Sequence, residues 1–148
     1  MMKDTIDRLN SEFAQFPTMR ADELPSSTEI EDASKQIGVP FPRDYQEFLG
    51  NYGGAMVGAY PIYGLRPVPV MGKRRWSVVE VTRQCRNGKI PGCDAWIVFS
   101  EDQAGNPIGI DAAGAVWIHD HDFGGIAPLA KDFEEYIRKQ CLNLEVDV

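Results

Sequence analysis

The stretch Pro40-Phe-Pro-Arg-Asp-Tyr-Gln-Glu-Phe-Leu-Gly-Asn-Tyr-Gly-Gly54 decides how the rest of the chain is read. Tyr45, Phe48, Leu49 and Tyr52 fall at i, i+3, i+4 and i+7, the spacing that lines one face of an α-helix. Pro42 suits the first helical turn, where its missing N–H has no intrahelical partner to lose. Gly53 and Gly54 end the helix, because glycine reaches the left-handed conformation without a Cβ clash. A helix this short holds its shape only by burying that aromatic face.

Toward the N-terminus, Met2, Ile6, Leu9, Phe13 and Phe16 recur at helical spacing and predict a first amphipathic helix, stopped by Pro17. A polar connector from Thr18 to Ser27 leads to a second helix, with Thr28 and Glu31 as a capping box and Gly38 as its C-terminal cap. Toward the C-terminus the texture changes. Gly, Pro and aromatic residues dominate from Gly53 to Pro69, with a strand suggested by Tyr60, Ile62, Tyr63 and Leu65. Trp76 to Arg86 reads two ways: Val78, Val79, Val81 and Thr82 favour a strand, whereas Val78, Thr82 and Cys85 align on a helix. Asn87-Gly88 ends the element in either case. Ala95–Phe99, Pro107–Asp111 and Ala115–His119 read as three strands joined by turns at 103–106 and 112–114. Connections this short make an antiparallel meander, since a parallel crossover needs a dozen residues or more. A last helix carries Leu129, Phe133, Tyr136 and Ile137 on one face.

The 148 residues, 43% hydrophobic and 25% charged, suit one domain with a core of its own, residues 1–27 being an N-terminal helical extension. Acidic residues in Met1-Met-Lys-Asp-Thr-Ile-Asp7 stand where a signal peptide carries an apolar stretch, which argues against export. No apolar run reaches the roughly 20 residues of a membrane span. Cys85, Cys93 and Cys141 are odd in number and form no C-x-x-C pair, as expected of reduced thiols in a cytoplasmic protein. Net charge is −7 but unevenly placed: −5 over residues 1–65, −8 over residues 90–148, and seven basic residues against one acid, Glu80, between Arg66 and Lys89. An acidic surface repels nucleic-acid phosphates and favours cationic partners. The Lys73-Arg74-Arg75 run reads as a solvated loop beside Trp76 in preference to a nucleic-acid patch.

Among residues that can carry chemistry, His119-Asp-His-Asp122 stands out. On a strand, His119 and His121 project from one face, as paired metal ligands do. A catalytic zinc needs a third protein ligand, and neither H-E-x-x-H nor a cysteine cluster supplies one. The alternative is a strand end entering a turn. Asp102, Asp111, Asp120 and Asp122 each adjoin a predicted turn, where aspartate bonds local N–H groups; acid–base work would require them to converge. Cys85 or Cys93 with His119 or His121 would make a triad only through a geometry that spacing does not reveal. Gly53-Gly54 and Gly124-Gly125 are too short to cradle a phosphate. No cofactor motif is present. Trp76, Trp96, Trp117, Tyr60 and Tyr63 supply aromatic surface for the core or for interface anchors.

The order of these blocks resembles the SUKH superfamily, which contains bacterial immunity proteins and fungal cell-wall-assembly regulators of the Smi/Knr type. The resemblance rests on the P-x-D-Y-x-x-F-L-x-x-x-G-G helix after Ile37-Gly-Val-Pro40 and on Glu29-Ile30, Ala33 and Ile37-Gly38 before it. It continues through Ile97-Val-Phe-Ser-Glu-Asp102, Gly105-Asn106, Asp111, Gly114-Ala-Val116 and His119-Asp-His-Asp122 to Leu129-Ala-Lys-Asp-Phe133-Glu-Glu-Tyr136-Ile137. It favours a helix over Trp76–Arg86. It implies an α+β fold in which N-terminal helices and a C-terminal helix pack on one face of a mostly antiparallel, twisted sheet. It further implies a non-catalytic protein that occludes a cognate, cationic toxin, with neither nucleic acid nor membrane as partner. On that reading, Asp102, Asp120, Asp122 and Trp117 are the expected contact residues. A regulatory scaffold of the fungal kind, or a small metal-dependent hydrolase using the His119–Asp122 cluster, are the alternatives.

Overall fold

A computed structural model describes residues 1–72, 75–122 and 124–144. Its elements run α1 (Lys3–Gln15), α2 (Ser27–Ile37), α3 (Arg43–Tyr52), β1 (Ala55–Val57), β2 (Tyr60–Ile62), α4 (Val78–Asn87), β3 (Ile97–Glu101), β4 (Pro107–Ile110), β5 (Val116–Asp120), β6 (Gly125–Ala130) and α5 (Phe133–Tyr136). A π-helical turn, Ile137–Cys141, extends α5, with Leu142 N–H donating to the Ile137 carbonyl at 2.9 Å. β3, β4, β5 and β6 form an antiparallel sheet in that order, and β1 and β2 pair as a separate hairpin. This is the α+β architecture the resemblance implies.

The aromatic face of α3 seeds the core. Tyr45, Phe48 and Leu49 are fully buried and Tyr52 nearly so. Phe99 of β3 meets Tyr45 at a ring separation of 6.0 Å, Phe133 at 5.4 Å and Tyr136 at 5.1 Å, so α3 and α5 close on the same side of the sheet. Ile97, Ile108, Ile110 and Val116 complete that inner face. α4 stands instead along the outer edge of β3. Thr82 Oγ1 accepts the Val98 N–H at 2.9 Å and so satisfies a donor that an edge strand would otherwise leave unpaired. Beside it, Tyr63 N–H donates to the Phe99 carbonyl at 2.8 Å and ties the β1–β2 hairpin to the same edge.

Several boundaries differ from the sequence reading. The capping box lies at Ser26 and Glu29, two residues before Thr28 and Glu31: Ser26 Oγ accepts the Glu29 N–H at 3.2 Å and Glu29 Oε1 accepts the Ser26 N–H at 3.0 Å. Arg66 grips the same carboxylate with two bonds of 2.8 and 2.7 Å, which anchors the earlier box. Pro42 is the N-cap of α3, in an extended conformation, and not its first helical residue. The strand predicted at Ala95 begins at Ile97, after a turn at Cys93–Ala95. β1 and β6 were not expected. Leu129 belongs to β6 and not to the last helix, because Asp132 caps α5 by accepting the Glu135 N–H at 2.8 Å, and the helix starts only after that cap.

Candidate partner-binding surface

The β3–β4 turn is built around Asp102. Its Oδ1 accepts the N–H groups of Ala104 and Asn106 at 3.0 and 2.9 Å, and Oδ2 accepts Asn106 Nδ2 at 2.9 Å. Asn106, almost fully buried, turns its carbonyl oxygen to the end of β5, where it receives the His121 N–H at 3.3 Å and meets the imidazole Nδ1. Asp120 Oδ1 accepts the Asp122 N–H at 2.9 Å. Through Asn106 the acidic residues Asp102, Asp120 and Asp122 therefore share one end of the sheet.

Trp117 lies toward the opposite end. Its indole N–H donates to Asp111 Oδ2 at 2.8 Å, while Asp111 Oδ1 accepts the N–H groups of Ala113 and Ala115. Asp120 lies three residues beyond Trp117, a span of about 10 Å along a strand. Strand alternation puts Trp117 and His119 on the outer face, across from Pro128 and Ile126 of β6 respectively. Gly109 faces Trp117 from β4, and the bare Cα leaves room for the indole of Trp96: a Cβ there would lie 2.6 Å from Trp96 Cβ. Gly92, at φ 91°, admits the far end of the same indole and the tip of Ile126. The outer face is thus a strip of Trp96, Trp117, Ile126 and Pro128, from buried to open; Ile126 is 45% exposed. β6 is the last strand of the sheet among the described residues. Pro128 on it has no N–H to offer, which blunts the edge for strand addition and leaves the face as the better contact.

The other candidates resolve into structural roles or separate places. β5 ends at Asp120, so His121 sits in the turn and not on the strand beside His119, and its ring engages Asn106. Among the described residues, no group of three His, Cys, Asp or Glu side chains is placed to hold a metal ion. Cys85 lines a cavity whose walls contain no histidine. Gly53 is the left-handed cap of α3. In the basic segment, Lys73 and Arg74 lie outside the described residues. Arg75 pairs with Glu101 at 3.0 Å over the ring of Tyr63, and Arg86 donates to the carbonyls of Ile37, Cys93 and Trp96. These arginines tie loops to the core. Ile126 and Pro128 went unnoticed in the sequence, and Asn106 was read only as a turn residue. The turn signal around Gly105-Asn106 was legible, but the partner of the Asn106 side chain was not.

No helix among the described residues is long and apolar enough to cross a membrane. A search of curated proteins finds no match. The family model described as SMI1-KNR4 cell-wall, SUKH_5, matches residues 2–143, nearly the whole chain and including the N-terminal helix that the resemblance alone did not reach. The chain belongs to the SMI1-KNR4 (SUKH) family.

Proposed function

We propose that this chain is an immunity protein of its family, acting in the cytoplasm to neutralise a toxin by stoichiometric binding without catalysing a reaction. The observation that carries the reading is the outer sheet face. Half-buried Trp117 lies beside exposed Ile126 and Pro128, and Asp102, Asp120 and Asp122 border the strip at one end. An apolar centre with a charged rim is the usual anatomy of a protein interface. On a chain of net charge −7, that rim suits a cationic partner such as a toxin whose active site binds an anionic substrate. Trp117 and Ile126 supply the buried anchors; the three aspartates steer approach. The test is co-expression with the toxin encoded beside this gene. Protection of the cell supports the reading, and protection lost on Trp117→Ala with Ile126→Asp places the contact on this face. A regulatory scaffold would bind partners while giving no protection.

A further inference from the structure

Two contacts fix the orientation of the Asn106 amide. Its Nδ2 donates to Asp102 Oδ2 at 2.9 Å, and an ionised carboxylate only accepts. Its Oδ1 accepts the His121 backbone N–H at 3.3 Å, and a backbone N–H only donates. Exchanging the oxygen and nitrogen of the amide would break both. The atom that meets the His121 ring is therefore an acceptor, so His121 Nδ1 carries the proton of that contact. In the neutral imidazole, Nε2 is then bare and its lone pair open.

Nε2 lies 3.5 Å from Asp122 Oδ1, and both side chains are exposed. Two acceptors thus stand side by side, and neither takes a hydrogen bond from the described residues. Asp122 is held by its own N–H, which Asp120 Oδ1 accepts at 2.9 Å. The charged groups around the ring are all acidic: Asp102 behind Asn106, Asp120 at the end of β5, and Asp122. His119 stands two residues back on β5, across from Ile126, and β6 contributes no titratable group. A donor that also carries positive charge completes such a pair. A proton on Nε2 is one, and the N–H of a cationic side chain is another.

We infer that neutral His121, held as its Nδ1–H tautomer by Asn106, determines specificity for the partner: its Nε2 and Asp122 Oδ1 together accept the N–H groups of one arginine or lysine side chain of the bound toxin. The inference rests on the binding reading above and extends it from charge steering to one directed contact. The proton and the partner's cation compete for the same lone pair. Acid turns His121 from an acceptor into a donor already paired with Asp122, and it places positive charge where the cation would sit. Binding therefore weakens as pH falls. Histidine is the side chain whose charge ordinarily changes between about pH 5 and 8, so this dependence separates the imidazole from the aspartates around it.

The tautomer is read without any partner, by a long-range proton–nitrogen correlation on the full, isotope-labelled chain at about pH 8. His121 should show a protonated Nδ1 and a bare Nε2; the opposite tautomer would overturn the inference. The contact is read by calorimetric titration of wild type and His121→Phe into the toxin encoded beside the gene, at about pH 8 and about pH 5. The phenyl ring keeps the bulk of the side chain, and Asn106 still takes the backbone N–H. Groups that titrate on the toxin affect both proteins alike and cancel in the comparison. At the higher pH the variant should bind about tenfold more weakly, and the gap should close or reverse at the lower pH. Equal affinities at the higher pH, or the same gap at both, would overturn the role of His121 while leaving the binding reading intact. No complex with either protein would contradict the binding reading itself and the cation contact with it.

Discussion

Asn106 receives the backbone N–H of His121 at 3.3 Å, and this contact fastens the β3–β4 turn to the end of β5. The same side chain donates to Asp102 at 2.9 Å, so one buried amide holds both parts of the acidic end in register. Asn106→Ala removes both bonds and leaves the His121 N–H without that partner. The expected loss is about 1–3 kcal/mol in urea unfolding, with faster amide exchange at His121. Unchanged stability would mean that the acidic turns are placed by something other than Asn106.

Gly109 should tolerate no side chain. A Cβ there would lie 2.6 Å from Trp96 Cβ and 2.8 Å from its ring, and Trp96 is wedged against Gly92 on its far side. Gly109→Ala is expected to cost about 1–3 kcal/mol by overpacking, read from thermal or urea denaturation. Pairing it with Trp96→Leu should recover part of that loss; no recovery would assign the cost to the backbone instead.

At the β3 edge of the sheet, Thr82→Val keeps the shape of the side chain but deletes the acceptor for Val98 N–H. An expected destabilisation of about 1–3 kcal/mol, with Thr82→Ser near wild type, would separate the hydrogen bond from packing. A loss in Thr82→Ser with Thr82→Val near wild type would point to the methyl group instead.

The contrast between local patterns and contacts across elements explains how much the sequence revealed. Periodicity located α1 and α3, because one buried face per helix leaves a regular trace, as Tyr45, Phe48, Leu49 and Tyr52 do, whereas α2 was found from its cap signals, Gly38 correctly and the capping box two residues late. Turn chemistry located the meander, because Asp102 and Asp111 each bond the N–H groups of their own turn. β6 went unread because Gly125-Ile-Ala-Pro-Leu-Ala130 carries a proline and one open face, so neither alternation nor β-propensity marks it. The candidate surface was half legible. Asp102, Asp120 and Asp122 could be named from composition, whereas their gathering by Asn106, and the strip of Trp117, Ile126 and Pro128 beside them, depend on strand register. Trp96 over Gly109 is likewise a contact between elements, and no local pattern encodes it.

Asp44 gives the fold a pH dependence of definite sign. Burial raises its carboxyl above the ordinary aspartate range, as do the neighbouring Asp132 and Glu134, against the N–H groups of Glu134 and Tyr45 that it accepts. An acid raised in the folded state favours that state fully below its unfolded pKa, and the contribution is lost as pH rises through the folded value. Wild type should therefore lose stability relative to Asp44→Asn as pH climbs through the carboxylate range toward neutrality. Urea midpoints of both proteins across that range are the check. Wild type gaining on the variant would reverse the assignment.

The account centres on stoichiometric binding, and a calorimetric titration of the purified chain into the toxin encoded beside its gene tests it most directly, run at low and high salt with toxin activity followed in parallel. The predicted result is a one-to-one complex, toxin activity falling in proportion to chain added, and affinity weakened both by salt and by joint reversal of Asp120 and Asp122 to lysine. Absence of a complex, or toxin inactivated by far less than one equivalent of chain, would contradict the account.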